Sequence, residues 1–385
     1  MHHRSEAIAA LKLPKDNLHT QSRGVSIETT EFTDDYHFKL VRKIADGGMG
    51  SVYEAILHGS EGFEKQITIK TIRERFTGDS DFVDMFIGEA KLVADLVHQN
   101  IVQIYKLGMI EKTFYIAMEY VQGVNLQEFM ARHLELGLKV PIDLGAFIMS
   151  RVCRGLEYAH SKRDRNGHPL GVVHRDISPK NLMISAEGEV KITDFGIAKA
   201  KKLMKDQEGT VLMGKAQYMS PEQAAYMATD RRSDIFSLAV VMTELLTGES
   251  IFGTTEDTTT ILGNVAQKAI PKPRDLNPEI PEALEKIILK ALERNVSRRY
   301  QDAGKMGYDL EYFMYHKGYG PTIVTLEKYM RQLFPRLYLA PMGQSYDDKA
   351  PVKKPNDPAA KTDAARTAAA VEVTAKPGEA RPGTK

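Results

Sequence analysis

Cysteine is almost absent from this 385-residue chain, which carries Cys153 alone. One thiol cannot close an internal disulfide. Its neighbours Ile148, Val152 and Leu156 recur at helical spacing, so Cys153 reads as a small buried hydrophobe rather than a reactive group. Net charge is lacking too: 52 basic side chains are offset by 51 acidic ones. That removes the broad positive field that draws a protein onto nucleic acid or an anionic membrane, and only Lys201, Lys202 and Lys205 form a small basic patch. Nowhere do about eighteen uncharged apolar residues run together, so no transmembrane segment is expected. The N-terminal MHHRSEAIAALKLPKD lacks the apolar run of a secretory signal. These absences point to a cytoplasmic protein whose partners include no nucleic acid. His2, His3 and His168 have no metal-ligand spacing with other ligands and read as surface residues, and no internal repeat is present.

Residues 1–35 are polar, with one short helix-capable piece at Ser5–Leu13, and read as a flexible extension. From Phe38 to Val121 short β-rich runs dominate, namely FKLVRKI, SVYEAIL, QITIKTI, IVQIYKL and TFYIAMEYV. One helical segment, Asp81–Val97, interrupts them, with apolar positions at Phe82, Met85, Phe86, Ala90, Val93 and Val97. Beyond Leu126 helical periodicity takes over, at Gly145–His160, Ser233–Thr247 and Pro281–Glu293, continuing to about Arg336. A loop-rich stretch at 161–222 is dense in His, Asp, Asn, Gly and Pro, the composition in which catalytic groups collect on a rigid scaffold. Within it Asn166-Gly167 signals a hairpin turn. The pattern predicts an α+β protein: a β-rich lobe at about 36–121, a helical lobe at about 122–316 and an amphipathic helical extension at 317–340. Residues 341–385 are rich in Ala, Pro, Lys, Asp and Thr with no aromatic after Tyr346, and are expected to be disordered.

Three signals carry chemistry. The first is Ile44-Ala45-Asp46-Gly47-Gly48-Met49-Gly50-Ser51-Val52, between two strand-like runs. Clustered glycines let backbone amides approach phosphate oxygens unobstructed, though a hairpin turn has the same look. The following Ser51-Val52-Tyr53 continues as strand, which disfavours a dinucleotide fingerprint opening a helix. The second signal is Lys70 in the strand Ile67-Thr68-Ile69-Lys70, with Glu89 in the helix of the same lobe as a carboxylate able to partner it. The third is Val172-Val173-His174-Arg175-Asp176-Ile177-Ser178-Pro179-Lys180-Asn181, followed by Lys191-Ile192-Thr193-Asp194-Phe195-Gly196. Asp176 suits a base for a hydroxyl proton, and Asn181 and Asp194 offer the hard oxygen ligands that Mg2+ prefers.

Together these stretches resemble the signature set of eukaryotic-type protein kinases. The GGMG loop and GKAQYMSPEQA are most similar to the bacterial serine/threonine branch, and the resemblance covers about Phe38 to Tyr315. It implies a two-lobed kinase fold, ATP and Mg2+ as cofactors, and protein substrates. By the same resemblance Ile44, Gly47, Gly48, Met49 and Gly50 belong to the loop over the phosphates, with Gly47 and Gly50 as its second and third glycines. Val52 touches the adenine and Met183 lies beneath it. Lys70 binds the α- and β-phosphates and pairs with Glu89. Glu119 and Val121 form the hinge that holds adenine through backbone groups, with Met118 as gatekeeper. Asp176 is the base, and Asn181 and Asp194 hold Mg2+. Val93, Ile104, His174 and Phe195 match the packed spine joining the lobes, Glu222 is paired with Arg299, and Asp234 anchors the catalytic loop.

The sequence departs from the family pattern at four positions. Ala45 stands where the first loop glycine is usual, and Thr68 where alanine covers the adenine. Ser178 replaces the usual lysine two residues after the base, and Lys215 replaces the usual threonine after Gly214. The last two suggest a swap in which Lys215 reaches the site from the opposite side and hydrogen-bonds Ser178, keeping a cation near the transferring phosphate. Lys180 is the rival for that role, and a solvent-facing Lys215 is the third possibility. Ser178 also loosens the serine/threonine assignment, which Gln217-Tyr218-Met219-Ser220-Pro221-Glu222 supports. Between Gly196 and Gly214 the one hydroxyl residue is Thr210. It is the expected phosphosite, paired with Arg175 and filled by transient self-association of two copies, unless it is simply a solvent-facing loop residue.

Overall fold

The computed structural model describes residues 31–34, 36–46, 50–72, 80–110, 113–195, 215–255 and 257–339. The short β-rich runs become strands β1 (Glu31–Asp34), β2 (Tyr36–Asp46), β3 (Gly50–His58), β4 (Glu64–Ile72), β5 (Ile104–Ile110) and β6 (Thr113–Glu119). They form one sheet in the order β1-β2-β3-β4-β6-β5. Its two faces follow the strand period of two. Phe38, Ala55, Ile67, Ile69, Tyr115 and Ala117 fill one face. Ile72, Ile116 and Met118 on the other pack with Phe86 and Ala90 of helix α1 (Ser80–Ala94). Lys70 shares that second face with Thr68 and Ile72, because residues two apart point the same way. Register completes the arrangement, with Val52 opposite Lys70 and Thr68 opposite Met118.

Helix α1 ends three residues before the periodicity does. Leu96 N donates to Val93 O and Ile101 N to His98 O, so the chain turns; Leu96 goes into the core while Val97 is 69% exposed. The apolar Val97 extended the pattern without belonging to the face.

The second lobe contains α2 (Leu126–Leu136), α3 (Ile142–Ser161), α4 (Arg231–Thr247), α5 (Thr258–Gln267), α6 (Glu282–Ala291), α7 (Ala303–Tyr315) and α8 (Ile323–Leu333). It also contains a small sheet of β7 (Gly123–Asn125), β8 (Leu182–Ser185) and β9 (Val190–Ile192). Helix α4 is buried on nearly every side, from Ser233 to Leu246, as an all-round apolar helix must be. Asp230 caps its start by accepting from Arg232 N, and Gly248 closes it in the left-handed conformation. Cys153 lies fully buried in this core, where burial pushes its thiol far above the ordinary range. The hairpin at Asn166-Gly167 is present: Asp164 N donates to His168 O, Leu170 N to Lys162 O, and Gly167 takes φ +84. Residues 1–30 and 340–385 lie outside the described set, and with them the expected tail and most of the expected 1–35 extension; the end of that extension, Glu31–Asp34, is instead the edge strand β1, paired with β2.

Candidate active site

The loop 172–181 is held as a unit before any ligand is considered. Asp234, at the start of α4, accepts from His174 N at 2.8 Å, Arg175 N at 2.7 Å and His160 Nε2 at 2.8 Å. Burial alone pushes its carboxyl up, but the His160 bond, the neighbouring imidazoles and the Arg175 amide outweigh it and hold the group below the usual carboxylate range. Arg175 adopts the left-handed φ of 62°, a conformation that non-glycine residues take at a cost and that the two backbone anchors enforce. His174 accepts from Asp176 N through Nδ1, and its Nε2 meets Thr193 O at 3.0 Å. Its ring meets Phe195 at 4.6 Å.

Asp176 is then presented by two partners. Asn181 Nδ2 donates to its carbonyl at 2.7 Å and to its Oδ2 at 2.8 Å. Lys215 Nζ reaches the same Oδ2 at 2.8 Å. With both donations made from its amide nitrogen, Asn181 keeps its amide oxygen as the ligand atom for a hard cation. Asp194 follows at φ 56° and meets Lys70 Nζ at 2.8 Å through Oδ1. The donor set is therefore an amide oxygen, a carboxylate and a lysine beside a candidate base, which fits Mg2+ carrying phosphates. Val93, Ile104 and Phe195 line one small cavity with Lys70 and Met118, and His174 joins them through its ring contact with Phe195.

Towards the adenine region, Thr68 and Met118 are buried side by side, and Met183 on β8 stands opposite Asn125 of β7. Glu119 ends β6 and Val121 lies on the connection from it to β7. The Glu119 carboxylate is held by Lys191 Nζ at 2.9 Å. Gly50 opens β3 where a Cβ would stand 1.9 Å from Thr71 O, so only glycine permits that strand approach. Ile44 is 43% exposed at the end of β2. Gly47, Gly48, Met49 and Thr210 lie outside the described residues, as does the side chain of Glu89, so the expected Lys70–Glu89 pair is not among the described contacts.

Beyond the base, Glu222 and Arg299 form the expected buried pair at 2.7 Å, and Ser233 Oγ donates to the same carboxylate. Burial pushes Glu222 up, but the Arg299 and Ser233 bonds outweigh it and hold its carboxyl below the ordinary range.

The expected partner of Lys215 needs correcting. Ser178 Oγ is buried without a hydrogen-bond partner among the described residues, and Lys215 takes the Asp176 carboxylate instead. A charge-assisted bond to an ionised oxygen is about twice as strong as one to a neutral hydroxyl. The rival Lys180 is exposed on the turn Pro179–Asn181. Two contributors had escaped notice. His160 buttresses Asp234, and Gln223 Nε2 donates to Arg175 O at 2.9 Å, tying the Ser220-Pro221-Glu222 element to the catalytic loop. Arg175 itself donates to Thr229 Oγ1.

The protein kinase domain family matches residues 38–306. The chain belongs to the protein kinase family. Among its relatives is a protein of Myxococcus xanthus named tyrosine-protein kinase MasK, 41% identical over 277 residues, covering 72% of this chain and 43% of MasK. Serine/threonine-protein kinase PrkC of Bacillus subtilis is 34% identical over 276 residues, covering 71% of this chain and 40% of PrkC. Serine/threonine-protein kinase PknA of Mycobacterium tuberculosis is 33% identical over 272 residues, covering 69% and 59%. The matched region thus spans 40% to 59% of the length of these relatives. The solved kinase domain of Mycobacterium tuberculosis PknI superposes with a TM-score of 0.54 at 21% identity, covering 76% of this chain and 98% of that domain; it shares the fold. Among the described residues no helix is long and apolar enough to cross a membrane.

Proposed function

We propose that this chain transfers the γ-phosphate of ATP, with Mg2+, to serine and threonine hydroxyls of protein substrates. One observation carries the reading: Asp176 is oriented by Asn181 and Lys215 at 2.8 Å each, beside a Lys70–Asp194 pair at 2.8 Å. Bound Mg-ATP supplies an electrophilic phosphorus and neutralises the charge of its leaving group. Lys70 holds the α- and β-phosphates, while Asn181 and Asp194 hold the cation. Val52, Thr68, Met118 and Met183 enclose adenine, and the backbone of Glu119 and Val121 bonds its edge. Asp176 receives the substrate's hydroxyl proton as that oxygen bonds to phosphorus and the bond to the bridging oxygen breaks. Lys215 steadies the base and places a positive charge where negative charge grows.

A tyrosine-directed reading has a specific observation behind it. Ser178 stands where the lysine marker of serine/threonine kinases is usual, and MasK is named a tyrosine kinase. The Gln217–Glu222 stretch and the names of PrkC and PknA favour serine/threonine. The kinase unit is proposed to span about 36–316 in the cytoplasm, with Thr210 as its activating phosphosite, filled by a second copy.

Intact-mass analysis before and after Mg-ATP, with Asp176→Asn alongside, tests the reading. Mass gain in phosphate increments that is absent in Asp176→Asn is the expected result. Peptide mapping then locates Thr210, and phosphoamino-acid analysis separates the two specificities. A parent protein that binds Mg-ATP yet phosphorylates neither itself nor any peptide, with its segment phosphate present or absent, overturns the enzymatic reading.

A further inference from the structure

The family match stops at residue 306, yet the fold continues through α8 and a short turn, Pro335–Tyr338. These residues dock beside the proposed nucleotide site. Leu326, Met330 and Leu333 are buried to 1% exposure or less. Tyr329 OH meets His133 Nε2 of α2 at 2.7 Å, and Phe334 lies against Phe129. Gly188, in the turn between β8 and β9, sits so close to α8 that a Cβ would stand 2.3 Å from Ile323 O, and its φ is +81°.

From there a closed ring of three hydrogen bonds runs to the hinge. Tyr338 OH donates to Ala186 O at 2.6 Å. Ala186 N donates to Gln122 O at 2.7 Å. Gln122 Nε2 donates back to Leu337 O at 3.0 Å. Gln122 directly follows Val121, and β7, beginning at the next residue, pairs with the strand that carries Met183. The same connection is held at Glu119 by Lys191 and at Tyr120 by Glu54 and Arg42. Those two ties go to the two lobes; the third goes to the C-terminal segment.

We infer that residues 323–338 are a working part of the nucleotide site, with Gln122 and Tyr338 as positioning residues that set adenine affinity. The inference rests on the proposed kinase reading. Adenine held by backbone groups needs that backbone fixed to within about 0.5 Å. A side chain as exposed as Gln122 has no burial to hold it, so its bond to Leu337 O is what keeps the hinge backbone and the segment in register. A hinge released from the ring must be ordered again each time nucleotide binds, and affinity falls by that amount. Chemistry at Asp176 is untouched, because the ring shares no residue with the Asp176–Asn181–Lys215 cluster.

The test uses the full chain with Tyr338→Phe, Gln122→Ala and the two combined, and Tyr319→Phe, whose ring is 96% exposed, as control. Binding of a non-hydrolysable ATP analogue with Mg2+, of adenosine and of inorganic tripolyphosphate is measured by calorimetry, and kcat at saturating ATP with a peptide. Each single change is expected to weaken the analogue and adenosine about threefold, and the pair about tenfold, with tripolyphosphate affinity, kcat and peptide KM unchanged. Unaltered adenosine affinity in the double variant, with only its melting temperature lowered, overturns the inference. Equal weakening of tripolyphosphate also overturns it, since the ring would then act on the whole cleft. A parent protein that binds none of the three probes refutes the kinase reading itself, a different outcome from parent binding that the variants share.

Discussion

Replacing Lys215 by alanine removes one ammonium group from 2.8 Å beside Asp176 Oδ2. The Asn181 bond remains, so the carboxylate stays in place and what is lost is charge. Removal of a preorganised donor aimed at developing charge costs about 2.7–4 kcal/mol. Lys215 is 26% exposed against 9% for Asp176, so water replaces part of its contribution and the lower end applies. At about 1.36 kcal/mol per decade that is a fall in kcat of about 10²-fold. The fall appears equally in kcat/KM for peptide, and ATP affinity is unchanged, because the interaction is used in the transition state. Steady-state peptide phosphorylation at varied ATP gives all three quantities. In an Asp176→Asn background the same change costs far less, since groups acting as a unit are not additive. An unaltered kcat, or a loss confined to the KM for ATP, refutes a catalytic Lys215.

Glu222→Ala leaves the Arg299 guanidinium buried and without its carboxylate, and a loss of about 3–5 kcal/mol in denaturant unfolding is expected; a loss below about 1 kcal/mol would mean the backbone acceptors of Arg299 suffice alone. The carboxyls of Glu222 and Asp234 are depressed in the fold. Their stabilisation is complete above the unfolded carboxylate range near 4 and is lost as pH falls through their lower folded values, so the unfolding midpoint should drop steeply below about pH 4. Glu222→Gln makes that acid slope shallower; an identical slope would mean that other groups set it. Gln223→Ala breaks the tie to Arg175 O and should lower kcat about three- to tenfold, the worth of one hydrogen bond. In a Lys215→Ala background it should do almost nothing; a full extra loss there would separate the two residues.

The chemistry was legible because its residues lie in short runs. His174 to Asn181 and Asp194-Phe195 announce themselves by order and spacing, whereas Glu222–Arg299 spans 77 positions and was expected only through the family resemblance. The strand face of Lys70 was not legible, since alternation alone leaves it inward or outward; the packing of Ile72 and Met118 on α1 decides it. What escaped notice escaped for physical reasons. The docking of α8 and its following turn uses main-chain oxygens of Leu333, Leu337 and Ala186 as acceptors, and every residue type has a carbonyl. Amphipathic spacing therefore showed that 323–333 would pack, and nothing in the side chains showed on what. His160 looks like an ordinary polar helix end, since its role needs Asp234, 74 positions away. The expected Ser178 partner of Lys215 differs from the observed one because the family resemblance brings the two positions together without showing that the Ser178 hydroxyl is buried.

That last difference has a mechanical meaning. A lysine at position 178 would stand on the catalytic loop itself, whose turn is closed by Asn181 N on Ser178 O and whose start is bolted to Asp234. At position 215 the cation stands on a turn closed by Tyr218 N on Lys215 O. Besides the Lys215–Asp176 pair itself, that turn reaches the loop of Asp176 through the Ser220–Gln223 cap and the Gln223–Arg175 bond. The field at Asp176 depends only on where the charge sits, so either origin serves the reaction equally once the site is assembled. The two origins differ in what assembly requires. With serine at 178 and lysine at 215, the proposed base would gain its cation only while the 215–223 element is docked. On the proposed reading, arrival of the cation and docking of that element would thereby become one event, while Asn181 holds the carboxylate in either case, and Gln223 and Lys215 are two places at which the same coupling is measured.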